Sequence, residues 1–363
     1  MAGGNRLKLG LFATNCKGGL AITTAPEAWQ PTWENNLEVA RQVDEAGLEF
    51  LLPIARWRGY DGPSDFEGET LETITWAAGM LAHTTRCTVF GTIHAPVFHP
   101  IVAAKQMATV DLLSGGRFGL NLVAGWNQDE FEMFGQEQRE HDDRYAFAQD
   151  WLDVVRTLWR EDEPVDYEGP FFRLPGLIGR PRPWGGGEPV LMNAGYSPAG
   201  RAFGIRNCEF LLTSLIDLGS GAADVASVKE AARRDHGREL EVIATAYVVC
   251  RPTAAEAEEF HRYYADEHAD WEATDHLMTL SGLHARFFPP EHYETQRQRF
   301  AAGHGTYPLV GDPDHVASEL ARIADAGFAG VGFGLVDYAG ELPYLVQEVL
   351  PRLEAAGLRQ PAP

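Results

Sequence analysis

Short runs rich in Val, Leu, Ile and Phe alternate along this chain with longer segments of helical period, and that alternation constrains the fold more than any other feature. A strand followed by a helix, repeated, builds a parallel sheet whose faces the helices cover. LKLGLFAT, Leu7 to Thr14, reads as the first strand, and TWENNLEVARQVDEAG, residues 32–47, as a helix with a Thr cap and a terminal Gly. FLLPI ends the second strand at Ile54; a helix over 70–85, the strand CTVFGTI at 87–93, a helix over 99–113 and the strand FGLNLVAG at 118–125 continue the series. A helix over 143–159 precedes a hairpin-like VDYEGPFFRLPG and the connector PRPWGGGEP, after which PVLMNAG restarts the sheet at 189–195. Then come FLLTS, a helix over 222–234, LEVIATAYVVC at 240–250, a helix over 254–273, a polar region to about His304, a helix over 313–327, GVGFGLVD at 330–337 and a closing helix.

These make eight strand-then-helix units, with insertions near 160–188 and 275–305. Eight units close a (β/α)8 TIM barrel, whereas a doubly wound sheet carries a Gly-rich dinucleotide turn after an early strand. No GxGxxG follows the first strand and no GxxxxGK[ST] occurs. The expected architecture is therefore a single TIM-barrel domain over residues 1–363. Its chemistry belongs at the carboxyl ends of the strands.

Composition narrows the partners. Thirty Lys and Arg stand against 52 Asp and Glu, a formal net charge of −22 that repels nucleic acid and anionic membranes alike. With 45% hydrophobic and 23% charged residues, the chain is that of a folding globular protein. Cys16, Cys87, Cys208 and Cys250 form no CxxC pair and no zinc-like spacing, as expected of free thiols in a reducing compartment. MAGGNRLKLG lacks the apolar core of a secretory signal, and no run of about 18 apolar residues appears. A cytoplasmic protein is expected. His261, His268 and His276 recur at near-helical spacing, but these steps span about two turns, so no metal site is expected. No GxSxG elbow is present.

At the strand ends, Asn121 is an amide inside an apolar run. Either backbone groups satisfy it within the core, or it faces a ligand with donor and acceptor edges, such as a flavin ring. Thr92 falls beside it on the adjacent strand. HDDRY, residues 141–145, opens a helix whose free N–H groups and Arg144 can hold a phosphate, or else caps itself while Arg144 meets a surface carboxylate. NAGYSPAG, residues 193–200, is a second strand-to-helix turn, where Gly195 permits close backbone approach and Ser197 supplies a hydroxyl. IARWRGY places Arg56 and Arg58 after the second strand, as a cationic spot or as solvated surface.

Taken together, GGLAITT, AGLEFLLPIARWRGY, FHPIVAAKQMATVDLLSGGRFGLNLVAGW, EFEMFG, HDDRYAFAQDWLDVVRTLW and NAGYSPAGRAF resemble the bacterial-luciferase-like flavin monooxygenases across roughly residues 7–215. SGGRFGLNLVAGW with HDDRY is similar to the branch containing the pyrimidine and dimethylsulfone monooxygenases. Beyond residue 215, VGDPDHVASELARIADAGFAGVGFG is the segment that stays typical. The resemblance implies a barrel that takes reduced FMN (FMNH2) from an NAD(P)H-dependent flavin reductase and uses O2 to oxygenate a small sulfone or a cyclic amide or heterocycle. It implies flavin contacts at Ala55 and Arg56, with Asn121 and Glu130 at the isoalloxazine side. Arg144, Tyr145 and Ser197 would hold the ribityl phosphate, with Gly195 also among the cofactor-binding positions. Thr92 and Asn121 match the catalytic pair that flanks the dioxygen pocket, while Trp57, Tyr60, Trp126 and Phe131 on the mouth loops are expected to line the substrate pocket.

The same resemblance implies a homodimer or homotetramer. It also admits an F420-dependent oxidoreductase or a non-catalytic flavin-binding subunit; the Thr92 and Asn121 pair favours the monooxygenase over the latter. The His that luciferase carries after its second strand has no counterpart in IARWRGY, and the Arg and His of alkanesulfonate monooxygenases are missing from NAGYSPAGRAF. The second departure argues against simple alkanesulfonates.

Overall fold

The computed structural model describes residues 1, 4–137, 139–284 and 290–361. Its strands are β1 (Lys8–Phe12), β2 (Phe50–Leu52), β3 (Thr88–His94), β4 (Phe118–Val123), β5 (Val165–Glu168), β6 (Arg173–Leu177), β7 (Val190–Asn193), β8 (Phe210–Ser214), β9 (Glu241–Cys250), β10 (Tyr307–Gly311) and β11 (Gly330–Gly334). The order β9-β11-β1-β2-β3-β4-β7-β8, closed by a β8–β9 pairing, is an eight-stranded parallel barrel. Its members are the eight apolar runs of the sequence. β3 and β11 are buried at every position, because helices cover one face and the barrel interior the other.

Side chains alternate along each strand, so one set points inward. Phe50, Phe90, Met192, Phe210, Leu212 and Ile243 pack there as one cluster, with Phe50 and Phe90 edge to face at 6.2 Å. Gly10 makes room for this plug: a Cβ on it would sit 2.4 Å from the Phe50 ring and from the Phe50 carbonyl oxygen. Two residues on from Phe90 along β3 comes Thr92, and two on from Gly119 along β4 comes Asn121. The apolar plug thus gives way to polar side chains at the carboxyl ends. At the opposite end, buried Arg359 pairs with buried Glu49 at 2.7 Å and donates to the Leu7 carbonyl, while Glu49 accepts from Leu9 N–H.

Helix starts follow their caps. α1 (Trp33–Glu45) begins after Thr32, whose side chain accepts from Asn35 N–H, as the sequence predicts. α2 (Thr73–His83) starts later than expected, because Glu72 accepts from Ile74 and Thr75 N–H and fixes the start there. α3 (Pro100–Ser114), α4 (Gln128–Met133), α5 (His141–Arg160), α6 (Pro198–Asn207) and α7 (Leu218–His236) follow. The single helix expected over 254–273 is divided into α8 (Ala254–Arg262), a wide π turn at Tyr263–Glu267, and α9 (Trp271–Leu280). Buried Asp270 caps α9 through Ala273 N–H and also accepts from Ser64 N–H, so the chain must turn there.

The polar region to His304 holds a further helix, α10 (Pro290–Gly303), and β10 follows it unpredicted. Residues 285–289 of the expected insertion lie outside the described residues. β9 pairs with β8 over 241–245 and with β11 over 243–247, so β10, which pairs with residues 246–250, takes the β8 side beyond the end of β8. The hairpin-like segment is the antiparallel β5–β6 pair. Among the described residues, no helix is long and apolar enough to cross a membrane.

Candidate active site

A cavity of about 270 Å³ lies at the carboxyl ends of the strands. Of the residues singled out from sequence, Ala55, Arg56, Thr92, Asn121 and Trp126 line it. Thr92 and Asn121 are register partners on β3 and β4. The Thr92 hydroxyl donates to the Pro53 carbonyl at 2.6 Å and accepts from Asn121 Nδ2 at 3.2 Å. Asn121 Oδ1 is buried with no hydrogen-bond partner. An acceptor left unmatched inside a protein costs on the order of 1–3 kcal/mol, so this oxygen has the capacity to take a donor that a ligand brings.

Arg56 is buried, its guanidinium held on two edges: Nε donates to Glu67 Oε2 at 2.7 Å and Nη1 to Glu130 Oε1 at 3.0 Å. The same Glu130 oxygen accepts from Trp57 N–H at 2.7 Å. Glu130 therefore stands behind Arg56, outside the cavity wall. The guanidinium carbon lies 5.2 Å from the ring centroids of both Tyr60 and Trp126. Tyr60 packs beneath it, off the wall, with a buried hydroxyl whose pKa is pushed up by burial. Arg58 differs: it is half exposed and 3.7 Å from Asp129, a surface residue.

Two histidines on the cavity wall complete this array. His94 Nδ1 is 3.5 Å from Glu130 Oε2, and His304 Nε2 is 3.8 Å from Glu67 Oε1. Burial pushes His94 down to about 4 and lowers His304 as well, so both imidazoles are neutral at physiological pH. Neither His304 nor Glu67 is singled out by the sequence. The available signal is Arg56 itself, since a buried guanidinium demands carboxylates.

The second group forms where α6 begins. Ser197 caps this helix by accepting from Gly200 N–H at 3.1 Å. A Cβ on Gly195 or Gly200 would fall 2.8 or 2.5 Å from the Tyr145 hydroxyl, so the two glycines seat that ring beside Ser197. Burial raises the Tyr145 pKa, opposed by its Ser197 contact. Arg144 Nη1 donates to the Gly125 carbonyl at 2.9 Å, and its buried Nε has no hydrogen-bond partner. Arg201, in the first turn of α6, pairs with Asp224 at 2.7 Å and keeps a buried, unpartnered Nη1. Sequence reasoning passed over Arg201 although it lies four residues after Ser197.

The other mouth-loop aromatics lie off the wall. Trp57 is 39% exposed and packs on Phe98 and Phe134. Phe131 is buried under Gly125, where a Cβ would come within 2.5 Å of its ring. His276 ties α9 to both mouth loops: its Nδ1 accepts from Asp61 N–H at 3.2 Å, and its Nε2 is 3.4 Å from Asp129. His261 meets Tyr247, and His268 packs on Tyr263. All four cysteines are buried free thiols.

A family model described as luciferase-like monooxygenase matches residues 7–330. The chain belongs to the luciferase-like monooxygenase family. Within it, the chain is 26% identical over 351 residues to the FMNH2-dependent dimethylsulfone monooxygenase of Pseudomonas fluorescens, covering 95% of this chain and 94% of that protein. It is 30% identical over 271 residues to the pyrimidine monooxygenase RutA of Cronobacter turicensis, covering 72% and 71%. A crystal structure of riboflavin lyase with modified FMN and riboflavin superposes with a TM-score of 0.87 at 25% identity, covering 98% of this chain and 93% of that one. Luciferase-like proteins thus match both the barrel and the segments that build its mouth.

Proposed function

We propose that this protein is a two-component flavin monooxygenase that receives reduced FMN from an NAD(P)H-dependent reductase and uses O2 to oxygenate a small sulfone or cyclic amide or heterocycle. The observation that carries the reading is the Thr92–Asn121 pair, with Asn121 Oδ1 unmatched on the cavity wall. A reduced flavin ring offers N–H donors to such an acceptor. Bound reduced flavin supplies the two electrons that O2 activation requires. The relatives named for FMNH2, dimethylsulfone and pyrimidine support the same class.

In this reading Asn121 and Thr92 orient the reacting edge, and Ala55 and Arg56 contact the ring, with Glu130 acting through Arg56. The unpartnered Arg144 Nε, together with Tyr145, Ser197 and the close approach at Gly195, suits the phosphate. Trp126 faces the substrate, while Tyr60, Phe131 and Trp57 support the mouth and exclude water. The whole chain works as one barrel domain with excursions near 160–188 and 275–305, in the cytoplasm and as a homodimer or homotetramer.

Anaerobic mixing with reduced FMN, then with oxygenated buffer and a panel of sulfones and cyclic amides, tests this. Flavin oxidation at a rate distinct from free FMN and altered by one substrate, with a single 18O atom from 18O2 in the product, is expected. Oxidation at the rate of free FMN without labelled product would sink it.

A further inference from the structure

Around the cavity, Arg56 is the one residue on the wall, among those described, whose side chain bears a fixed charge. That charge is cancelled twice over, by Glu67 at 2.7 Å and Glu130 at 3.0 Å. His94 and His304, facing the outer oxygens of these carboxylates, add no positive charge in their neutral forms. The array therefore totals one positive and two negative charges. Arg201, behind Thr213, is likewise held by Asp224.

The carboxylates lend charge without surface. Glu67 and Glu130 lie behind Arg56 and do not line the cavity, whereas Arg56 does, so a ligand in the cavity meets Arg56 rather than the carboxylates. On the wall stands Arg56, whose Nη2 is held by neither carboxylate and whose positive charge is already compensated. A lone arginine would invite a carboxylate or sulfonate. This one suits an acceptor oxygen that carries no charge, and the surplus negative charge behind it repels anions in a medium of low dielectric.

We infer that Glu67 and Glu130 are the specificity-determining residues of this site, making its reacting end select uncharged oxygen acceptors and reject carboxylates and sulfonates. The inference deepens the flavin-monooxygenase reading and rests on it for what becomes of the bound molecule, though not for binding itself. Replacing either glutamate by glutamine keeps an acceptor for Arg56 and removes one negative charge, which should open the site to anions.

Dimethyl sulfone and methanesulfonate, nearly equal in shape and different in charge, are suitable probes. Ligand-observed NMR would follow both with FMN-loaded and FMN-free protein, while flavin fluorescence in the same samples reports cofactor binding. Dimethyl sulfone should give binding signals and methanesulfonate none. Glu67→Gln and Glu130→Gln should each tighten methanesulfonate by roughly tenfold to hundredfold, the effect of a unit charge about 6–12 Å away at an effective dielectric of about 20. Methanesulfonate binding within threefold of the sulfone in the native protein would overturn the inference, whatever the variants do. So would an unchanged preference in both folded variants, or silence from the sulfone and from a neutral lactam alike. Failure of FMN to bind appears separately in the fluorescence and counts against the flavin reading.

Discussion

Asn121→Ala separates a residue kept for the fold from one kept for the chemistry. In the native chain Asn121 Nδ2 donates to Thr92 over 3.2 Å, and buried Oδ1 has no partner. Losing that bond costs about 0.5–1.5 kcal/mol, and removing an unmatched buried carbonyl relieves about 1–3 kcal/mol. Because the side chain borders a cavity of about 270 Å³, its truncation widens an existing space. The cavity penalty of an ordinary core truncation is correspondingly small. The flavin-free variant should therefore lie between about 0.5 kcal/mol less stable and about 2.5 kcal/mol more stable than the native protein. Urea unfolding monitored by tryptophan fluorescence reads this difference. Turnover should fall by about tenfold to hundredfold, a barrier increase of about 1.4–2.7 kcal/mol, while FMN affinity changes less. A stability loss above about 2 kcal/mol with unimpaired turnover would refute the reasoning and make Asn121 a core amide.

Arg144→Ala should weaken FMN binding by roughly 1.5–3 kcal/mol, the range for a charge-assisted contact; unchanged affinity by calorimetry would remove Arg144 from the phosphate site. Burial holds His94 neutral down to about pH 4, whereas in the unfolded chain it titrates near 6.5. Protons therefore favour the unfolded state as pH falls from 6.5 to 4, and roughly 3 kcal/mol of stability present above pH 6.5 is lost across that window. His94→Gln should flatten this part of the pH dependence in urea titrations, and parallel native and variant slopes would place the acid sensitivity elsewhere. Arg359→Ala would leave buried Glu49 without its guanidinium and cost about 3–5 kcal/mol in unfolding experiments. A loss below about 1 kcal/mol would mean that water reaches and solvates that carboxylate.

The barrel was legible because its strands are apolar on both faces, which writes β3, β9 and β11 as nearly continuous runs of Val, Ile, Phe and small residues. β10 escaped notice because YPLVG is short, holds Pro and Gly, and pairs only with the far end of β9. α10 was hidden for another reason: PEHYETQRQRFAAG is polar along most of its length, with Ala301 and Ala302 buried near its end. Thr92 and Asn121 were recognisable as polar interruptions of apolar strands. Glu67 and His304 were not, since each lies in a turn with positive φ, 54° and 55°, outside any periodic segment, and His304 reaches Glu67 from far along the chain. Periodicity carries no information about such meetings.

Cys250 and Gly311 are partners across β9 and β10, so the chain that leaves the rim after β9 returns beside its point of departure. The described part of the stretch between these two strands is thereby an insertion seated on the rim, where Tyr264 and Ala265 pack with Ala21 and Val336, and Ala273 and Leu277 pack with Ile22, Tyr60 and Phe66. It also delivers His304 to the cavity and His276 to the mouth loops. A change in this stretch therefore reaches the mouth and the rim loops together, so a graft from a relative needs the matching residues at Ile22, Tyr60 and Phe66 to keep that packing.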